Sequence, residues 1–253
     1  MKRSIGWLPP VLRQVLTAVL LTVMLAVSLS ACSGQAEGPA GSGTGQDAAP
    51  GQAKKLLLLK KKEGSGDPVL IAHLEKLGYL VMDMSENEFK AEAAKGYSVV
   101  YVSDSVNASR VDNSLKQVAA GIVYAKPQLA EASGLAQPLS SGQLTGETKA
   151  RILAPKHPLA AGLTGEPAVY SASGRMGYAQ PGKEASIIAA APGDELKALV
   201  FSYEKGAKAA SGEPLPGRRV FFYLPTGEEA NQTEEGWKLL DTALVWAAQQ
   251  PQP

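Results

Sequence analysis

The chain has 253 residues, with 25 Lys and Arg against 24 Asp and Glu and a formal charge of +1. So even a balance, without a basic stripe, gives no footing for a nucleic-acid partner. The single cysteine excludes an internal disulfide, so the fold must be large enough to hold itself by packing.

Lys2, Arg3 and Arg13 form a basic start, and a largely apolar run covers Val15–Leu29. Small residues follow in Leu29-Ser30-Ala31-Cys32, the order of a secretion signal. These four residues resemble the lipobox of bacterial lipoproteins, in which the cysteine thiol is diacylglycerol-modified and the peptide is cut just before it. The resemblance implies an exported lipoprotein, Cys32–Pro253, anchored to a bacterial membrane through acyl chains such as palmitate and facing away from the cytoplasm. The alternative is an uncleaved anchor, for which the run is marginal against the ~20 apolar residues of a span. Cleavage removes Lys2, Arg3 and Arg13 and leaves 22 basic against 24 acidic residues, a formal charge of −2. With Cys32 acylated, no thiol remains as a nucleophile.

Residues 32–53 are rich in Gly, Ala, Ser, Pro and Gln and read as a flexible tether. Residues 54–250 then suit one domain. Leu56-Leu57-Leu58-Leu59 is a short continuous apolar run, the mark of a strand buried on both faces. Gly64-Ser65-Gly66 makes a turn, Asp67 is placed to cap a helix, and Pro68 fits its first position. Val69, Leu70, His73, Leu74 and Leu77 give that helix an apolar face, and Gly78 ends it. Tyr79–Met82 is a strand, Glu86–Lys95 a short helix and Tyr97–Val102 a third strand. A helix over Ser109–Ala120, a strand at Ile122–Ala125 and a helical turn at Gln128–Ser133 follow. Alternating strands and helices with short connections predict a three-layer α/β sandwich on a mostly parallel sheet.

The second half changes character. Glu147–Leu153, Ala168–Ala172, Ser186–Ala191, Leu199–Tyr203 and Arg219–Leu224 are strand candidates between Gly/Pro turns, some of them antiparallel additions. Thr233–Gln249 closes the chain as an amphipathic helix, with Trp237, Leu240 and Leu244 on one side and Glu234 and Glu235 favouring its start.

A site belongs at the carboxyl edge of the parallel strands, where loops converge. Gly64–Asp67 could cradle an anion at a helix start, but it lacks the spacing of a phosphate loop. Ser103-Asp104-Ser105-Val106-Asn107 is the most polar segment directly after a buried strand. Ser105 or Asp104 as a catalytic group would need a base within reach, and the chain has only two histidines. His73 falls within the apolar rhythm of its helix; His157 lies in a loop and is the candidate partner. No Gly-x-Ser-x-Gly elbow is present. No His-Glu-x-x-His motif or thiolate set suggests a metal, and nothing implies a cofactor. Tyr203 and Arg218 sit at strand ends where they could rim a ligand cleft.

The strand Val99–Val102 with Ser103–Asn107, the segment His157–Leu163, and the block Tyr203-Glu204-Lys205-Gly206 resemble a known family. So do Arg218–Phe222 and the closing Asn231–Leu240 with Trp246. Their order is similar to that of domains related to class I glutamine amidotransferases and to trehalose-utilisation-like proteins, over about residues 54–248. The resemblance implies a flavodoxin-like sandwich. A glutaminase of this class carries a cysteine at the sharp turn after a central strand, with a late His and Glu. Here the comparable turn carries Asp104 or Ser105, and no histidine follows His157. The expected role is noncatalytic: binding a glycan, another envelope or extracellular ligand, or an envelope protein through Ser103, Asp104, Ser105, Asn107, Tyr203 and Arg218. The alternative is a hydrolase acting on a glycan or ester with Ser105 or Asp104 and His157.

Overall fold

Residues 54–61 and 67–249 are described in the computed structural model. The signal segment, Cys32, the tether and Gly64-Ser65-Gly66 lie outside them. The first half runs β1 (Lys54–Lys60), α1 (Pro68–Lys76), β2 (Tyr79–Ser85), β3 (Val99–Val102), α2 (Ala108–Lys116), β4 (Gly121–Tyr124) and α3 (Pro127–Ala132). The second half adds β5 (Gly142–Glu147), β6 (Arg151–Ile152), β7 (Gly174–Tyr178), β8 (Ser186–Ala191), β9 (Asp194–Tyr203), β10 (Arg219–Phe222) and α4 (Glu234–Ala248).

The main sheet has eight strands in the order β2-β1-β3-β4-β10-β9-β8-β6. The five strands from β2 to β10 are parallel, and β9, β8 and β6 continue the sheet in antiparallel fashion. β5 and β7 form a separate antiparallel pair.

The apolar run in β1 works as its composition predicts. Successive side chains point to opposite faces of a strand. Leu56 and Leu58 join Val99 and Tyr101 in the layer under α1 and α4. Leu57 and Leu59 join Val100 and Val102 in the layer that includes Val111 of α2 and Leu129 of α3. All four leucines are fully buried. Both faces are thus covered, giving the mostly parallel three-layer α/β sandwich of the flavodoxin type.

Several expectations need correcting. Glu86–Lys95 is not a helix; only Ala91–Ala94 forms a 3-10 turn. The buried Glu86 and Phe89 hold the chain in irregular form: the Glu86 carboxylate accepts a bond from the Asn107 N–H, and Phe89 fills the α2-side layer. Ala168–Ala172 makes only isolated bridges, Lys149 with Ala168 and Tyr170 with Gln232. Glu147–Leu153 contributes only two strand residues, Arg151–Ile152, beyond the end of β5. Among the described residues no helix is long and apolar enough to cross a membrane.

α4 lies directly against the start of β4. Gly121 permits this approach, because a Cβ there would fall 1.9 Å from the Ala247 carbonyl oxygen. Thr233 caps α4, its hydroxyl accepting the Gly236 N–H at 3.1 Å.

Candidate functional site

The parallel strands β1, β3, β4 and β10 end at one edge of the sheet, and the segments that follow them carry most of its buried polar groups. Asp67 precedes α1, Ser103 and Ser105 follow β3, Lys126 follows β4, and Thr226 and Glu229 follow β10.

Asp67 does not cap its helix as expected. It is 2 % exposed, and its Oδ2 accepts a hydrogen bond from Ser103 Oγ at 3.2 Å. Ser103 Oγ also lies 3.0 Å from Ser105 Oγ and 3.0 Å from Thr226 Oγ1. Ser103 is itself buried. Glu229, 8 % exposed, approaches the Asp67 carboxyl closely, and its Oε2 accepts the Gly227 N–H at 2.7 Å. Burial, then the charge of Glu229, push the Asp67 carboxyl up to about 6; the Ser103 bond opposes them. Tyr101 lies in the adjoining core, where burial and the charges of Asp67, Glu229 and Asp104 raise its phenol well above the ordinary value.

A more exposed rim surrounds this cluster. Lys126 Nζ donates to the Asp104 carbonyl at 2.8 Å and lies 3.7 Å from its carboxylate. Asn107 caps α2, its Oδ1 accepting the Ser109 N–H at 3.2 Å. Arg175 of β7 pairs with Glu228 at 3.0 Å and donates to the Thr226 carbonyl, tying the segment after β10 to the small sheet.

Of the residues singled out from the sequence, Ser103, Asp104, Ser105 and Asn107 gather at this edge; Tyr203, Arg218 and His157 do not. β9 runs antiparallel, so its last residue, Tyr203, pairs with Arg219 at the start of β10, on the opposite edge. The Tyr203 hydroxyl is used up in the fold: it donates to the Leu135 carbonyl at 2.7 Å and accepts the Gly182 N–H at 2.6 Å. Arg218 pairs with Glu204 at 2.8 Å and lies over the Trp246 ring. His157 stands near the same groups. Its ring is 5.9 Å from Trp246, and its Nδ1 accepts the Leu159 N–H at 3.2 Å. Burial lowers its pKa, Glu204 raises it and Arg218 lowers it. The pairing of His157 with Ser105 or Asp104 is therefore not formed, and neither Tyr203 nor Arg218 rims the cluster. His73 is also structural: its Nε2 meets Asp241 Oδ1 at 2.6 Å and its ring stacks on Trp237.

Thr226 and Glu229 are site residues that the sequence alone does not single out; Asp67 is named there only as a helix cap and as the end of the Gly64–Asp67 turn. Thr226 and Glu229 stand more than a hundred residues after Ser103 in ordinary loop sequence. Only the parallel pairing of β10 with β4 brings their loop to this edge.

Chemically, the cluster offers hydroxyls and carboxyls. It has no thiol, and no imidazole is placed to activate Ser103 or Ser105. No group of three or more His, Cys, Asp or Glu is arranged for a metal among the described residues. Thiol glutaminase chemistry lacks its nucleophile there, and the turn after β4 carries Ala125-Lys126 rather than cysteine.

No protein-family model matches the chain, and no curated protein matches its sequence. Similarity emerges among solved structures. A protein from Thermoplasma acidophilum described as a GMP synthase subunit superposes with a TM-score of 0.54 at 12 % identity, over 78 % of this chain and 96 % of its own. A ThuA-like protein from Bacteroides uniformis gives 0.50 at 12 % identity, over 81 % and 95 %. PurLQS from Thermotoga maritima gives 0.50 at 10 % identity, over 77 % and 99 %. The domain thus has the amidotransferase-like and ThuA-like fold.

Proposed function

We propose that this protein is an exported, lipid-anchored domain that binds a cell-envelope or extracellular ligand, a glycan or a protein, at the carboxyl edge of its parallel strands without transforming it. The observation that carries this reading is the makeup of that edge. Ser105, Asp104, Asn107 and Thr226, set around the buried Ser103, present hydroxyl, amide and carboxyl groups, which match the hydrogen bonds of a polyhydroxylated ligand. The groups that would turn binding into acyl or glycosyl transfer by a thiol or histidine-activated hydroxyl are not beside them. The lipobox and the long polar tether support display of the domain away from a membrane surface.

The test is equilibrium binding of the purified mature protein to a glycan array and to solubilised envelope fractions. Saturable binding is expected, weakened on the order of tenfold by the paired substitution Ser105→Ala and Asn107→Ala. Loss of one hydrogen bond to a ligand costs about 0.5–1.5 kcal/mol, so two such losses reach that factor. Absence of any saturable partner, or binding untouched by both substitutions, would overturn this placement of the ligand.

A further inference from the structure

We propose that the free edge of β2 pairs with the same edge of a second copy of this chain, antiparallel about Met82, joining two eight-stranded sheets into one. β2 ends the main sheet, and among the described residues no segment pairs with its outer side. The Glu86 N–H donates to the Lys60 carbonyl at 2.9 Å. Alternate residues of a strand face the same neighbour, so Leu80, Met82 and Met84 turn their backbone groups to β1. Those of Tyr79, Val81, Asp83 and Ser85 point outward as an open ladder.

The two ends of the sheet differ in how they manage such an edge. β6, at the far end, is two residues long and carries the exposed Arg151. Natural edges are blunted by such shortness, by Lys or Pro, or by bulges. β2 runs for seven residues in unbroken register with β1 and contains no Lys, Arg, Pro or Gly. Leu80, Met82 and Met84 share the α2-side face, paired with Lys55, Leu57 and Leu59 of β1. On that face the chain after β2 forms only the turn Ala91–Ala94, and Leu80 and Met82 stay 48 % and 46 % exposed.

The pattern of β2 selects its own copy as the occupant. Antiparallel pairing sets outward-facing residues against one another. Centred on Met82, Val81 opposes Asp83 of the second copy and exchanges N–H and C=O with it. Leu80 then opposes Met84, Met82 opposes Met82, and the apolar stripe closes on itself along the whole strand. Charge fixes this register. Asp83 is the one charged residue of β2 and is already paired with Lys60 of its own chain. Centring on Asp83 would oppose two carboxylates, which destabilises a cross-strand pair. Centring on Val81 would leave Met84 and Ser85 beyond the strand they meet. A ribbon this short buries less than the ~800 Å2 per side of a standard interface, so the dimer is a weak one held largely by main-chain hydrogen bonds. β2 supplies none of the side chains clustered at the carboxyl edge, so ligand binding there and self-pairing can fail separately.

The test uses the full mature protein in detergent. Sedimentation equilibrium over roughly 1–200 µM should show the parent passing from monomer to dimer. Leu80→Lys sets a charge against Met84 of the second copy and should weaken the dimer on the order of tenfold without changing Tm. Met82→Cys should give a disulfide-linked dimer on mild oxidation with diamide. Opposed residues of a non-hydrogen-bonded pair lie ~4.5 Å apart, within disulfide range. Leu80→Cys does not oppose itself and should link no more than the parent. A parent monomeric throughout, a dimer untouched by Leu80→Lys, or equal linking at positions 80 and 82 would each overturn the proposal. With a monomeric parent, loss of envelope binding in Leu80→Lys would assign the edge to a strand of another protein instead.

Discussion

In the folded protein, burial and Glu229 push the Asp67 carboxyl up to about 6, against an ordinary value of 3.8. The folded state therefore holds the proton more tightly than the unfolded state. That contribution favours folding most below the unfolded pKa. It is lost as pH rises from about 4 to about 6 and stays lost above that. A rise of that size corresponds to at most about 3 kcal/mol. Asp67→Asn retains an oxygen that can accept from Ser103 but carries no charge. It is expected to be more stable than the parent by about 1–2 kcal/mol at pH 7 and equal to it near pH 4. Urea melts at the two pH values check this; a variant less stable than the parent at pH 7 would contradict the account of a strained carboxyl. Residue by residue, the sequence exposed Ser103–Asn107 because polarity follows a buried strand there. It hid the role of Asp67 because a residue before Pro68 reads as a cap, and only tertiary packing turns the side chain toward Ser103.

At the scale of elements, β1, β3 and β4 were legible because their apolar runs are buried on both faces, which leaves little alternative to an interior strand, whereas β2 is the edge strand with Leu80 and Met82 exposed. β5 and β7 were not. Gly142-Gln143-Leu144-Thr145-Gly146-Glu147 and Gly174-Arg175-Met176-Gly177-Tyr178 carry glycines that lower strand propensity, and their pairing is settled by contacts across the chain. The antiparallel course of β9 was equally hidden, and it is what carries Tyr203 to the far edge. The contact between α4 and β4 yields a sharper expectation. Gly121→Ala would drive a methyl group into the Ala247 carbonyl, where the neighbour is backbone and has little freedom to yield. The substitution should cost about 1–3 kcal/mol, the usual range for overpacking, and lower Tm by roughly 2–12 °C in a domain of this size. Calorimetric melts of the variant check it; an unchanged Tm would mean that α4 is not seated on β4 as described.

For the whole molecule, the proposed location rests on the first 32 residues and the proposed ligand binding on the last 200 or so, and the two can be tested apart. If Cys32 is the acylated residue, its thiol is the only thiol available for attachment, because the chain contains no second cysteine. A single acyl chain binds membranes weakly and reversibly, so stable anchoring requires the two chains of a diacylglycerol group or more. Cys32→Ser should therefore abolish incorporation of labelled palmitate and leave the precursor uncut at the lipobox. The domain beyond the tether should keep the Tm of the parent, since the two packed layers are built from Leu56 onward among the described residues. Persistent palmitate label in Cys32→Ser would remove the lipoprotein reading. Loss of label together with a large fall in Tm would instead mean that the amino-terminal segment helps to hold the fold, contrary to its role as a tether.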